Sequence, residues 1–170
     1  MSTLVLGIGN VLLTDEGIGV HVVHHLQGGS RPLQGIVAMD GGTLSFTLAE
    51  ALGTHEGLIL VDAARLGSPP GTMRCFAGEA MDAYLSRGIR SVHELGLSDL
   101  MDMARLNGDL PSRRALLAIE PASLDWGTQP SPALAPIVPV AAEFILALVE
   151  CWRAAEALSP RKITDPGVGD

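Results

Sequence analysis

Two acidic residues stand in a glycine-rich turn near the start of the chain that would otherwise suit a phosphate group. The stretch VLGIGNVLLTDEGIG, at residues 5–19, contains Asp15 and Glu16. Its first two glycines follow a strand-like segment, as they do in a dinucleotide-binding fingerprint, but Leu12 replaces the third glycine of that fingerprint. Carboxylates beside a pyrophosphate at a helix start would repel it. The stretch therefore argues against a nucleotide site.

Acids at a helix start also have an ordinary structural explanation. Asp and Glu in a first helical turn stabilise the helix by interacting with its dipole. Gly17 and Gly19 weaken this explanation, because each glycine inside a helix costs about 1 kcal/mol. Their presence predicts that another backbone or a substrate approaches the helix start closely.

Two further acids fall at the ends of predicted strands. Asp40 closes the second strand in AMDGGT, and Asp62 closes the third in LILVDAA. The carboxyl ends of parallel strands share one edge of a sheet, and ligands bind at that edge. Glu16, Asp40 and Asp62 are therefore predicted to converge there. A single acid after a strand is more often a helix cap or a turn residue, but three acids at one edge favour a binding site.

Three of the five histidines bear on a metal site. His21 and His25 lie one helical turn apart, a spacing that can bind metal, but they are predicted to lie on the solvated face of their helix. His93, in SVHELGL, is predicted to lie in a loop just before the helix that leads to the fifth strand, where a histidine is more often a cap or a core hydrogen-bond donor than a ligand. The sequence contains neither H-E-x-x-H nor G-x-S-x-G, which argues against a zinc-protease helix and a serine hydrolase.

Short apolar segments alternate with helical patterns along the chain. The predicted strands span residues 3–6, 36–39, 58–61, 72–76 and 115–119. The predicted helices span residues 17–26, 44–52 and 98–106, and a last helix follows Pro139. This alternation predicts an α/β fold, with a mostly parallel, twisted sheet of five buried strands and helices on both faces. In the last helix, a stripe recurs every four residues and is predicted to face the core. Its members are Val140, Phe144, Leu148 and Trp152.

Length and composition predict a single domain at residues 1–158, followed by a loose tail at 159–170. The chain has 170 residues, of which 47% are hydrophobic, and its net charge is -8 without a cluster of Lys or Arg. This argues against nucleic acid or an anionic membrane surface as a partner. Its apolar segments do not have the length and composition of a bilayer span or a signal peptide, so a cytoplasmic protein is expected. It is also expected to be a monomer. Cys75 and Cys151 form no C-x-x-C and are interpreted as reduced thiols in the core.

Four motifs, taken in order, resemble those of one known family. They are GIGNVLLTDEGIG, DGGT at residues 40–43, VDA at 61–63 and SVHELGL at 91–97. Together they are similar to the maturation endopeptidases of nickel-iron hydrogenases, and the resemblance covers nearly the whole chain up to the last helix. The segment AIEPASLDWG is also similar, although Glu120 stands where a neutral glutamine is expected.

The resemblance implies an endopeptidase that removes a short C-terminal peptide from the precursor of the hydrogenase large subunit once nickel has been inserted. Glu16, Asp62 and His93 match the metal ligands of the family, and Asp40 matches the acid of its D-G-G-T turn. The nickel is carried by the precursor, whose cysteine thiolates can complete its coordination. The isolated protein is therefore expected to hold little metal of its own.

Two routes to peptide hydrolysis stay open. Asp40 is the candidate general base towards water, as in an aspartic-type mechanism, with Glu16 and Asp62 as the other candidate catalytic residues. Alternatively, the metal polarises the scissile carbonyl with little help from the protein. Two functions of other classes also stay open: a non-catalytic metallochaperone that docks on the large subunit, and a nucleotide-binding α/β domain.

Overall fold

The computed structural model of the chain describes residues 2–43, 48–86 and 92–158, without the side chains of 48–50, 92–96, 98 and 100. The strands are β1 (Thr3–Ile8), β2 (Ile36–Gly42), β3 (Gly57–Ala63), β4 (Met73–Ala77) and β5 (Arg113–Ile119). The helices are α1 (Ile18–Gly28), α2 (Leu48–Gly53), α3 (Glu79–Ser86), α4 (Val92–Asn107) and α5 (Ile137–Leu158). The predicted tail at 159–170 lies outside the described residues.

The five strands form one sheet in the order β2-β1-β3-β5-β4. All neighbouring pairs are parallel except β4 with β5, which is antiparallel. This confirms the predicted mostly parallel α/β fold. The prediction of five buried strands is wrong for β2 and β4, whose residues are largely half-buried or exposed because these strands form the two edges of the sheet.

Helices cover both faces of the sheet because successive side chains of a strand point to opposite faces. One face packs against α1 and α5, with Val5, Ile59 and Leu117 contributed by the central strands. The other face packs against α2, α3 and α4, with residues such as Leu6 and Leu60. The parallel direction of β1, β2, β3 and β5 places the loops that follow these strands at one edge of the sheet.

The start of α1 lies unusually close to the sheet. A Cβ atom added to Gly19 would collide with the carbonyl oxygen of Val61 and would lie 2.5 Å from that of Ile8. A Cβ atom added to Gly17 would lie 2.7 Å from the Cα of Val11. The close approach predicted from these two glycines is therefore confirmed, and the approaching group is the protein's own backbone.

The helices differ most from the prediction in α3 and α4. Helix α3 lies in a segment for which no helix was predicted, and α4 begins at Val92, six residues before the predicted start. The first four residues of the helix predicted at 44–52 lie outside the described residues. The two differences follow from packing, since Met81 of α3 and Leu97 of α4 both enter the apolar layer on this face of the sheet.

The predicted core stripe of the last helix is wrong for its first two members. Val140 is 50% exposed and Phe144 is 38% exposed. The buried face of α5 consists instead of Val138, Ala141, Ala142, Ile145, Leu146 and Val149. Leu148 and Trp152 pack at the margin of the same layer. The helix is apolar on two faces, and only contact with α1 and the sheet decides which face is buried.

The two cysteines are free thiols, as predicted, but they are not in the core. Cys75 lies on the edge strand β4 and Cys151 on α5, and both are exposed. Partial burial raises the pKa of the Cys75 thiol. No helix in the described part of the chain is long and apolar enough to cross a membrane.

Candidate active site at the carboxyl edge of the sheet

Glu16 lies on a 3-10 turn, Thr14–Gly17, that joins β1 to α1 at the carboxyl edge of the sheet. Gly9 has φ of 134°, a conformation that only glycine adopts readily, and it lets the chain pass against the backbone of Glu16. Thr14 has φ of 43°, which is strained for a β-branched residue. The backbone of the turn is therefore held in an unusual conformation beside Glu16.

The neighbouring acid, Asp15, has an internal structural role. Its side chain is fully buried, and Oδ2 accepts hydrogen bonds from the backbone N–H groups of Ala122 and Ser123, each at 2.9 Å. Oδ1 accepts a third from the N–H of Ser131 at 2.7 Å. Asp15 thus fixes the segment 122–131 against the turn that carries Glu16. Sequence reasoning missed this role, because the three donors lie more than a hundred residues away.

Asp62 lies on the strand beside the turn that carries Glu16. It is buried near the end of β3, and the 3-10 turn packs directly beside this strand. Oδ1 of Asp62 and Oε2 of Glu16 are both inaccessible to solvent. Strand alternation places Asp62 on the same face of the sheet as Leu58 and Leu60, which is the face covered by α4.

His93 is the second residue of α4, so the prediction that it lies in a loop is wrong. The helix has 16 residues, about 24 Å, which matches the length of a seven-residue strand. Because α4 leads back to the start of β5, its own first turn lies near the carboxyl edge. The backbone of His93 is therefore on the same edge and face as Asp62. Its side chain lies outside the described residues, and among the described side chains no three potential ligands form a metal-sized group.

Asp40 shares the edge but occupies the other face. It pairs in register with Gly7 of β1, and β1 separates it from β3. Its carboxylate is exposed, with Oδ1 accepting the N–H of Gly42 at 2.8 Å and Oδ2 lying 3.2 Å from Nε2 of His24 on α1. Asp40 and Asp62 thus flank β1, about 10 Å apart at the backbone. Glu16, Asp40 and Asp62 therefore lie at the same edge of the sheet, as predicted. The side chains of Asp40 and Asp62, however, lie on opposite faces of the sheet.

Comparison with known proteins decides the family. A family model described as HycI hydrogenase maturation protease matches residues 20–148. The hydrogenase 2 maturation protease of Escherichia coli K12 is 34% identical over 148 residues, covering 86% of this chain and 90% of the relative. The chain belongs to the hydrogenase maturation protease family. It is accordingly a peptidase.

Other relatives agree with this assignment. The hydrogenase expression/formation protein HupD of Rhizobium leguminosarum bv. viciae is 30% identical over 164 residues, which is 96% of this chain and 81% of the relative. The solved structure of the hydrogenase maturating endopeptidase HybD from E. coli superposes with a TM-score of 0.81 at 34% identity, covering 88% of this peptidase and 93% of HybD.

His21 agrees with its sequence-based interpretation in its position on α1 but is more covered than expected. His25 is exposed, as predicted, but His21 is only partly accessible and its Nε2 is buried without a hydrogen-bond partner among the described residues. Burial lowers the pKa of His21, the nearby His24 lowers it further, and Asp15 opposes the shift. His21 therefore lies on the predicted solvated face of α1, between His24 and His25, but is half-buried there.

Glu120, which stands in place of the glutamine expected in this family, holds a loop at the same edge. Its Oε2 accepts the N–H groups of Leu66 at 2.6 Å and Ser68 at 3.1 Å. A glutamine side-chain oxygen would provide an acceptor of the same kind. Glu120 in place of glutamine therefore still accepts the hydrogen bonds that hold the loop after β3.

Proposed function

We propose that this peptidase removes a short C-terminal peptide from the precursor of a nickel-iron hydrogenase large subunit after nickel has been inserted. Membership of the maturation protease family supports the reaction. The dependence on nickel is proposed from one observation. Glu16 and Asp62 lie on adjacent elements at the carboxyl edge, and the first turn of α4 lies at the same edge.

Recognition of the precursor is assigned to Glu16, Asp62 and His93. Two carboxylates and an imidazole suit a divalent ion of intermediate softness and leave coordination positions open. The nickel is cargo of the substrate, so thiolates of the precursor are the natural ligands for the remaining positions. The three residues then test whether the precursor carries its metal before the peptide bond is cut.

The hydrolytic step is assigned to Asp40 as general base. Its carboxylate is exposed at the edge and held in place by the N–H of Gly42 and by His24. Asp40 takes a proton from water as the water oxygen attacks the scissile carbonyl carbon. The proton is then returned to the amine nitrogen when the C–N bond breaks. This division of labour fits the placement of Asp40 on the face opposite to Asp62.

We also propose that the active peptidase is a monomer in the cytoplasm. The two free, exposed cysteines support a reducing compartment, because paired thiols are the rule in oxidising ones.

The test is incubation of the purified peptidase with nickel-loaded precursor, followed by intact mass measurement. Loss of one C-terminal peptide is expected. An unchanged precursor mass together with stable complex formation would instead indicate a metallochaperone and contradict the proposal.

Two variants separate recognition from chemistry. Asp40→Asn should bind loaded precursor normally and cleave it at least 100-fold more slowly, the usual contribution of a general base. Asp62→Asn should lose the preference for loaded over metal-free precursor in a binding assay. Equal behaviour of the two variants in both assays would contradict the assignment of separate roles.

A further inference from the structure

An exposed apolar patch lies beside the proposed recognition site. Trp126 is 82% exposed, and Leu12 and Leu124 are also exposed. We call these three residues the Trp126 patch. Large side chains of this kind are rarely left in solvent as a group unless they contact a partner.

Backbone hydrogen bonds connect the Trp126 patch to the turn that carries Glu16. The N–H of Gly127 donates to the carbonyl oxygen of Leu12 at 3.0 Å, and the N–H of Thr14 donates to the carbonyl oxygen of Gly127 at 2.8 Å. Gly127 thus forms an isolated parallel β-bridge with Leu13, which places Trp126 immediately beside the turn. A polypeptide that places its metal at Glu16 would also pass Trp126.

The segment that carries Trp126 is held firmly before any partner binds. Asp15 accepts N–H groups at Ala122, Ser123 and Ser131, which lie on both sides of Trp126. The hydroxyl of Thr14 donates to the carbonyl oxygen of Ser123 at 2.8 Å. An aromatic side chain on a preorganised segment loses little conformational entropy when it is covered, which is the usual setting of a binding hot spot.

We propose that the Trp126 patch docks an apolar segment of the large-subunit precursor and does so independently of the metal. The inference rests on the proposed function and names a second contact for the same substrate. Two features favour this occupant: the patch continues directly into the turn of Glu16, and the substrate of a maturation protease is a protein. Metal contacts then decide whether a docked precursor is cut, and the Trp126 patch holds it in place.

The test uses the two tryptophans of the chain as separate probes. The peptidase is labelled with 5-fluorotryptophan, and the variant Trp152→Phe assigns the two fluorine NMR signals. Adding unlabelled precursor, nickel-free or nickel-loaded, should shift the Trp126 signal in both cases and leave that of the half-buried Trp152 unchanged. An unchanged Trp126 signal with both precursors would overturn the proposal.

Kinetics provide a second measurement. Trp126→Ala should raise KM for loaded precursor by about tenfold or more and leave kcat nearly unchanged, as expected for loss of a hot-spot contact made before the reaction. Leu106→Ala is the matched control, because Leu106 is 87% exposed near the end of α4, away from the carboxyl edge. Equal KM values for the two variants would contradict the docking role.

Other occupants give different results. A Trp126 signal that moves when the peptidase alone is diluted would assign the patch to a second copy. A signal that moves when residues 159–170 are deleted, without precursor, would assign it to the chain's own tail; either result overturns the proposal. If wild-type protein fails to cleave loaded precursor, the proposed function fails, whereas the fluorine signals still decide the docking inference.

Discussion

Two adjacent carboxylates near the start of the chain have different surroundings. Asp15 is fully buried and accepts three backbone N–H groups, whereas Glu16 lies on the turn beside β3 at the proposed recognition site. The donors to Asp15 come from the segment 122–131. The sequence places two acids together, but only the folded chain shows that one of them is committed to its own backbone.

Replacing Asp15 with Asn should destabilise the protein by about 2–4 kcal/mol. The amide has one acceptor oxygen instead of two, and its NH2 group would face an N–H donor inside the protein. Urea unfolding followed by circular dichroism measures the change. Asp125→Asn is the control, because Asp125 is exposed and bonded to Ser123 on the same segment. Equal stability of the two variants would contradict the anchoring role of Asp15.

The contact between α1 and the sheet depends on Gly19. A Cβ atom there would collide with the backbone of β1 and β3, so Gly19→Ala must push the helix away from the sheet. We expect a loss of several kcal/mol in the free energy of unfolding, as for other overpacked sites. Gly28→Ala, at the end of the same helix, meets no atom within 4 Å and should be neutral or stabilising. A tolerated Gly19→Ala, measured by thermal unfolding, would show that the approach is looser than described.

Asp82 of α3 joins three elements and should make stability depend on pH. Arg114 of β5 donates to it twice, at 2.9 and 2.6 Å, and Arg105 of α4 lies 3.4 Å away. The hydrogen bonds from Arg114 lower the pKa of Asp82. A carboxyl with a lowered folded-state pKa contributes stability above its unfolded-state pKa, and this contribution is lost as the pH falls through the folded-state value.

The expected result is a decrease in the free energy of unfolding below about pH 4 that is smaller in Asp82→Asn than in the wild type. Urea titrations between neutral and acid pH measure it. Asp102→Asn is the control, since Asp102 also pairs with Arg105 but is mostly exposed. A decrease of the same size in all three proteins would mean that other carboxyls account for the acid sensitivity.

The sequence predicts elements well where one apolar pattern dominates and poorly where two compete. The five strands were predicted because each is a short apolar run between turn signals. In α5, Val140 and Phe144 form a regular stripe, yet Ile145 and its neighbours are the buried set. Both faces are apolar, so periodicity alone could not choose between them.

The positions of the site residues could also be predicted only in part. Strand order places Glu16, Asp40 and Asp62 at one edge, which the alternation of strands and helices was sufficient to predict. The face occupied by each side chain depends on register, which the sequence does not display. For example, Asp40 pairs with His24 only because β2 lies beside α1.

At the scale of the whole molecule, the formal charge of -8 and the acidic edge favour a substrate that brings its own cation. A site with two carboxylates and one imidazole should bind a lone divalent ion less tightly than thiolate-rich sites do. In the proposed function, nickel fixed in the precursor reaches these residues together with the bound polypeptide, so a weak affinity for the lone ion would still give selective docking. Cleavage should therefore depend on metal in the substrate and not on metal held by the free peptidase.

This dependence is measurable with one preparation of chelator-treated peptidase and two preparations of precursor. Nickel-loaded precursor should be cut, and thoroughly demetallated precursor should remain intact even with the peptidase in excess, because only the loaded form offers a metal ion to Glu16 and Asp62. Gel mobility and intact mass follow the product. Efficient cleavage of demetallated precursor in the presence of chelator would remove metal recognition from these residues and leave them with structural or acid-base roles.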